Sequence, residues 1–207
     1  MEIQFYGANC IKITNKRTSI VIDDNLAKYG LKPVATAKDI VLSTGDTEVL
    51  KEAHFGVNGP GEYEVSDVSI QGIPARSHMD EEGKHSTTMY KITMDGVRIG
   101  VTGHIHPDLE DDELESLGMV DILFLPVGGN GYTLDGVGAQ RVVKEIEPKV
   151  LVPTHYEDAK FNFEVPQAPL DDALKGLAME PADRLDSLKL KNFDLGEGTR
   201  LIVLNRQ

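Results

Sequence analysis

Residues 97–129, VRIGVTGHIHPDLEDDELESLGMVDILFLPVGG, decide how this chain is read. The apolar run 97–102 predicts a strand, and residues 120–127 predict a second one, each bounded by glycine. Between them, 108–117 predicts a short helix whose first turn is acidic, as the macrodipole favours. His104 and His106 sit just past the end of the first strand. Loops leaving the carboxyl ends of strands in α/β proteins commonly carry chemistry, so a site is sought there.

Towards the N-terminus the pattern is one of short strands. Residues 2–6, 11–14 and 18–22 alternate with turns at Gly7-Ala8-Asn9 and Asn15-Lys16-Arg17. The run 39–43, DIVLS, has the continuous apolar character of a buried strand, and residues 44–50 are expected to open a short helix. Residues 62–65 pair with 68–74 in one hairpin, and 87–94 with 97–102 in another across Asp95-Gly96. Beyond residue 129, helices are expected at 137–146 and 170–177. Strands are expected at 149–152, 187–190 and 199–204. No repeat or linker interrupts this order, so one domain over residues 1–207 is expected.

With 34 acidic and 21 basic residues, the formal charge is −13. A phosphate backbone needs a basic footprint, so nucleic acid is a poor partner. Cys10 is the only cysteine, which excludes an intrachain disulfide and a thiolate-rich zinc site. The first residues form no leader-like apolar segment and no later stretch is long enough to cross a bilayer, so a cytoplasmic protein with no membrane association is expected.

Three histidines share one context, a loop directly after a strand: His78, His104 and His155. If those strands end on one edge, the imidazoles converge. Three neutral imidazoles with an open fourth position can hold zinc and lower the pKa of its bound water. His104 and His106 make a stronger signal together, because i and i+2 side chains in extended backbone share a face, and a one-residue shift in the loop would present His106 in place of His104. Taken singly, each is equally well a surface loop histidine. The acidic runs Asp80-Glu81-Glu82 and Glu110-Asp111-Asp112-Glu113 read as solvated faces. No G-x-S-x-G motif or phosphate-binding glycine loop is present.

Several motifs in order resemble the metallo-β-lactamase superfamily, in its short single-domain branch of zinc-dependent hydrolases. They are Gly7-Ala8-Asn9-Cys10, Asn58-Gly59-Pro60-Gly61-Glu62-Tyr63-Glu64 and Leu125-Pro126-Val127-Gly128-Gly129, followed by Tyr132-Thr133-Leu134-Asp135 and Val152-Pro153-Thr154-His155-Tyr156. The segment 183–195, DRLDSLKLKNFDL, is similar to that branch's C-terminal stretch. The fold implied is α/β, a four-layer αββα metallo-β-lactamase sandwich with the site along one edge.

The resemblance also implies a loss. Active relatives carry H-x-H-x-D-H after the strand matching residues 39–43, and here that register reads Gly45-Asp46-Thr47-Glu48-Val49-Leu50. None of the ligating residues is kept, and Ala8 replaces a further histidine near the site. His78 and His155 match retained ligand positions, while His104 falls where relatives place a bridging aspartate. Two ions held close together need a bridging anion, which neutral imidazole does not provide. The function expected is therefore that of a degenerate member, stripped of the binuclear hydrolase site and serving a non-hydrolytic binding or scaffold role for a small molecule or a protein. The alternative is a hydrolase with a rearranged mononuclear site. Its metal ligands would be His78, His104 and His155, and its general base Asp46, Glu48 or Asp135. The cofactor expected is one zinc or other divalent transition ion under the alternative, and none under the first reading.

Overall fold

The computed structural model describes residues 1–45, 53–190 and 195–207. The first part of the chain forms β1 (Glu2–Gly7), β2 (Cys10–Thr14), β3 (Ser19–Ile22), a one-turn 3-10 helix (Leu26–Tyr29), β4 (Ile40–Leu42) and β5 (Phe55–Val57). Next come β6 (Gly61–Val65), β7 (Val68–Ala75), β8 (Thr87–Met94), β9 (Val97–Val101), α1 (Asp111–Leu117), β10 (Ile122–Pro126) and α2 (Gly136–Ile146). The chain closes with β11 (Val150–Thr154), α3 (Leu170–Leu177), β12 (Pro181–Leu185), β13 (Leu188–Lys189) and β14 (Arg200–Leu204).

These strands make two sheets, one ordered β13-β1-β2-β3-β4-β5 and the other β12-β14-β11-β10-β9-β8-β7-β6. Burial alternates along β1, as it must where one face meets the core and the other a thinner cover. By contrast β10 and β11 are buried at every position, because they are parallel central strands covered on both faces. Between the sheets lies a core drawn from Ile3, Ile13, Ile22, Leu42, Ile92, Ile122, Val152 and Ile202, among others. A second core, including Leu123, Leu125, Leu151, Val142 and Leu174, packs helices against the outer face of the larger sheet.

The expected αββα sandwich is observed, with unequal outer layers. The three α-helices among the described residues contribute to the core outside the larger sheet. Over the smaller sheet lie the 3-10 helix and loop residues, packed through Cys10, Val21, Leu26 and Phe161. The hairpin at Asp95-Gly96 forms as read, with both residues at positive φ.

Some boundaries shift for identifiable reasons. Helix α1 starts at Asp111 rather than residue 108, because Glu110 and Glu113 form a reciprocal capping box there. Strand β11 runs on to Thr154, paired with Pro126 of β10. Strands β5 and β12 were not anticipated. The helix expected at 44–50 falls, from residue 46 onward, outside the described residues.

Candidate functional site

The ends of both sheets meet at a cleft of about 660 Å³ lined by Asn9, Asp23, Thr44, Gly45, His104 and Tyr132, with further residues from 25–29, 77–87 and 162–165. The smaller sheet contributes its floor. Asp23 follows β3 and is buried, and its two carboxylate oxygens accept from the Thr44 backbone N–H and hydroxyl, each at 2.7 Å. Burial pushes the Asp23 carboxyl up to about 6, against those two hydrogen bonds. The larger sheet grips the same segment from the other side. Thr88 N–H and the Thr87 hydroxyl both donate to the Thr44 carbonyl, and the Tyr90 hydroxyl donates to that of Ser43.

Above Thr44 passes the loop that carries His104. Gly103 has φ +63°, and a Cβ there would stand 2.6 Å from Thr44 Cβ. Only glycine accepts that backbone and that approach together. The loop then pairs with the one carrying His78: His78 N–H donates to the His104 carbonyl at 2.7 Å, and His106 N–H to that of Arg76 at 2.8 Å. Of the two histidines of this loop, His104 is the one in the cleft lining. His106 lies outside the lining, with its Nδ1 accepting from Asp108 N–H and its ring 6.2 Å from that of His78.

His155 stands directly after β11 at φ +51°, and its N–H donates to the carbonyl of Ala8, itself at positive φ. Its ring meets that of His104 edge to face, with centroids 4.6 Å apart. Gln167 Oε1 lies 3.2 Å from His155 Nδ1 and, as an acceptor only, requires the proton on Nδ1. Gly128 makes this contact possible, since a Cβ there would overlap Gln167 Oε1 and the His155 carbonyl.

The His104 ring is held differently. Asn9 Oδ1 accepts from the Thr154 hydroxyl at 3.1 Å, so its Nδ2 faces His104 Nε2 at 2.9 Å and donates to it. The lone pair of His104 Nε2 is therefore occupied by an amide hydrogen. Burial pushes His104 down to about 3, with His155 and His78 adding to the shift, and pushes His155 down to about 4. Burial also lowers His78, whose Nδ1 is buried without a hydrogen-bond partner. All three imidazoles are neutral at neutral pH.

Aromatic rings complete the cleft. Tyr29 and Phe163 meet edge to face at 5.3 Å, as do His104 and Tyr132 at 4.7 Å, and Phe163 lies 4.8 Å from His155. Burial pushes the Tyr29 and Tyr132 phenols up, and the nearby Glu164 carboxylate adds to both shifts.

Of the residues singled out from sequence, His104 alone is in the cleft lining, His155 is buried in ring contact with it, and His78 is joined to it through the backbone pairing of the two loops. Asp135 is the N-cap of α2, its carboxylate accepting from Gly138 N–H at 2.8 Å, which is a structural use. Asp46 and Glu48 lie outside the described residues. Asn9, Asp23, Thr44, Gln167 and Phe163 were missed. The one available signal was that Asn9 sits inside a quoted motif.

Among the described residues, the donors as they stand do not fit a metal. Among the described residues no group of three His, Cys, Asp or Glu side chains is placed to hold an ion, and Asn9 takes the His104 lone pair that would face it.

The profile of the beta-lactamase superfamily domain matches residues 2–155, and the chain belongs to that family. An Archaeoglobus fulgidus protein named UPF0173 metal-dependent hydrolase is 26% identical over 140 residues, which are 63% of this chain and 58% of the relative. A Thermococcus onnurineus protein of the same name is 36% identical over 101 residues, 46% of this chain and 44% of that one. The matched segments thus span about half the length of these relatives. A Thermotoga maritima structure, described as a candidate Zn-dependent hydrolase of the metallo-beta-lactamase superfamily, aligns over 99% of this chain and 98% of its own at a TM-score of 0.75 and 24% identity. At that identity the likeness speaks to the fold alone. No helix among the described residues is long and apolar enough to cross a membrane.

Proposed function

We propose that this chain is a degenerate metallo-β-lactamase-fold protein whose cleft binds a small molecule without metal and without hydrolysis. The observation that carries this reading is the hydrogen bond from Asn9 Nδ2 to His104 Nε2, which uses the imidazole lone pair a metal would need. It is supported by the segment 45–50, GDTEVL, standing where active relatives carry their first ligands. The formal charge of −13 disfavours nucleic acid as the occupant. A core shared by residues from Ile3 to Leu204 supports one folding unit, and a lone buried Cys10 suits a reducing cytoplasm.

The test is a metabolite thermal-shift screen on chelated protein, beside elemental analysis and zinc titration of wild type, His78→Ala and His155→Ala. The reading expects ligand-induced stabilisation in chelator and no stoichiometric metal. About one zinc per chain, lost in both variants and accompanied by hydrolytic turnover, would overturn it.

A second reading, a mononuclear hydrolase on His78, His104 and His155, draws on the names of the relatives and on the 4.6 Å contact between His104 and His155. It requires Asn9 to release His104, and it expects the zinc result just described.

A further inference from the structure

Resting on the reading of this cleft as a metal-free binding site, we propose that His104 is its recognition donor. The imidazole offers an Nδ1–H to the occupant, which therefore carries a planar oxygen acceptor, a carbonyl or a carboxylate.

Asn9 decides what His104 can offer. Its Oδ1 accepts from the Thr154 hydroxyl, which leaves its amide hydrogens for His104 Nε2, 2.9 Å away. A neutral imidazole carries a single N–H, and with Nε2 accepting, that hydrogen is on Nδ1. His104 is part of the cleft lining, so a ligand that hydrogen-bonds to this ring meets a donor and brings an acceptor.

The protein leaves that hydrogen unused. Among the described residues no acceptor bonds to His104 Nδ1. The buried side-chain atoms without a partner there are Ser19 Oγ, Asp24 Oδ1, Asn25 Oδ1 and His78 Nδ1. His104 Nδ1 is not one of them, and the surface it keeps belongs to a residue of the cleft wall.

Nearby hydroxyls of the lining have their hydrogens committed. That of Thr44 goes to Asp23 Oδ2 at 2.7 Å, that of Thr87 to the Thr44 carbonyl at 2.6 Å, and that of Ser86 to Asp80 Oδ2 at 2.6 Å. None of the three can donate to a ligand without breaking a bond within the protein, so the donor role falls to His104. Its ring is also held in place. The His104 carbonyl accepts from His78 N–H, and the ring stands edge to face with His155 and Tyr132 at 4.6 and 4.7 Å between centroids. A donor fixed before binding loses little freedom when the acceptor arrives. A ligand with donors alone would set its N–H against that of His104.

The test is nitrogen–proton correlation NMR of the histidine rings in chelated protein, titrated with isobutyrate, isobutyramide and isobutylammonium, three probes of one carbon skeleton. Wild type is expected to show the His104 hydrogen on Nδ1. That resonance should move with isobutyrate or with isobutyramide, the two arms telling a carboxylate from a carbonyl. Isobutylammonium is expected to bind at least about tenfold more weakly. His104→Phe removes the donor and is expected to weaken the acceptor probe about tenfold, and Asn9→Ala, which frees the ring to exchange tautomers, severalfold. Asn9→Ala keeps the test sound if His104→Phe fails to fold. A His104 hydrogen found on Nε2, or isobutylammonium binding as tightly as the acceptor probes, would overturn the proposal. So would acceptor binding indifferent to both variants, or a His104 resonance that neither acceptor moves. Metabolites without an oxygen acceptor binding in chelator while both acceptor probes fail would also overturn it, yet leave the binding-cleft reading standing. Zinc-dependent turnover would remove that reading whatever the probes do.

Discussion

The two sheets end at one cleft and furnish it in opposite ways. From the smaller sheet come Asp23 and Thr44, which satisfy each other completely. From the larger sheet come imidazoles whose pKa values burial lowers, and among them His78 keeps a buried Nδ1 with no hydrogen-bond partner. A region whose polar groups are closed on themselves is a scaffold, whereas one with open lone pairs can still take a ligand. The first motif lost its ligand residues, while the later ones kept histidines, one of which, His104, has its Nε2 lone pair turned to Asn9.

The sharpest way to break this contrast is at the crossing point of the two regions. Gly103→Ala adds a methyl against Thr44 at a positive φ, combining backbone strain with overlap. A loss of about 3–5 kcal/mol in urea-unfolding stability is expected from those two effects together. A cost under about 1 kcal/mol would show that the loop slides freely over Thr44. Next in size is Asp23→Ala, which strands the Thr44 N–H and hydroxyl in the interior. About 2–4 kcal/mol is expected, with Asp23→Asn milder because asparagine keeps one acceptor and tolerates the left-handed backbone. Equal losses for the two variants would mean that Asp23 acts through its charge rather than through these bonds.

Residues near in sequence were legible, and residues that meet only in the fold were not. The Asp95-Gly96 hairpin, α3 and the parallel run of β10 carry their own local signals of turn chemistry and period. Phe55–Val57 has only three residues and no alternation, so β5 exists because β4 offers it an edge. Strand ends alone nominated His78, His104 and His155, since the loop that leaves a strand is recognisable from the strand. The tautomers were beyond reach. They are set by Asn9, 95 positions from His104, and by Gln167, which has no pattern to announce it.

Protonation offers a measure of the larger sheet's half. In the unfolded chain an imidazole titrates near its ordinary value of 6.5, but burial brings His104 to about 3 and His155 to about 4. The unfolded state then binds more protons between those limits, so stability from these groups is complete above pH 6.5 and falls as the pH drops towards 4. Asp23 runs the other way. Its folded value of about 6 lies above the ordinary 3.8, so its contribution is complete below 3.8 and is lost as pH rises through 6. Chelated wild type is expected to lose about 3–4 kcal/mol from pH 7 to pH 4, with the two imidazoles outweighing the carboxyl. Asp23→Asn should steepen that fall and His155→Gln should flatten it. A pH profile unchanged by both would show that neither group is buried as described.

The smallest expected effect on stability, and the most informative for function, is at Asn9, the strut between the two regions. Its side chain spans Thr154 and His104, both on the larger sheet, from a turn of the smaller one. Asn9→Ala removes two hydrogen bonds of ordinary strength, and room for water at the cleft limits the loss to about 1 kcal/mol. It also returns the His104 Nε2 lone pair to the cleft, beside the ring of His155. If that lone pair is what separates this chain from a metal protein, zinc affinity should rise at least about tenfold in the variant, as expected for gaining one imidazole ligand. His104→Ala added to Asn9→Ala should cancel the gain. An unchanged zinc titration would place the obstacle elsewhere, in the ligands missing from 45–50, and the amide on His104 would then be a consequence of that loss rather than its seal.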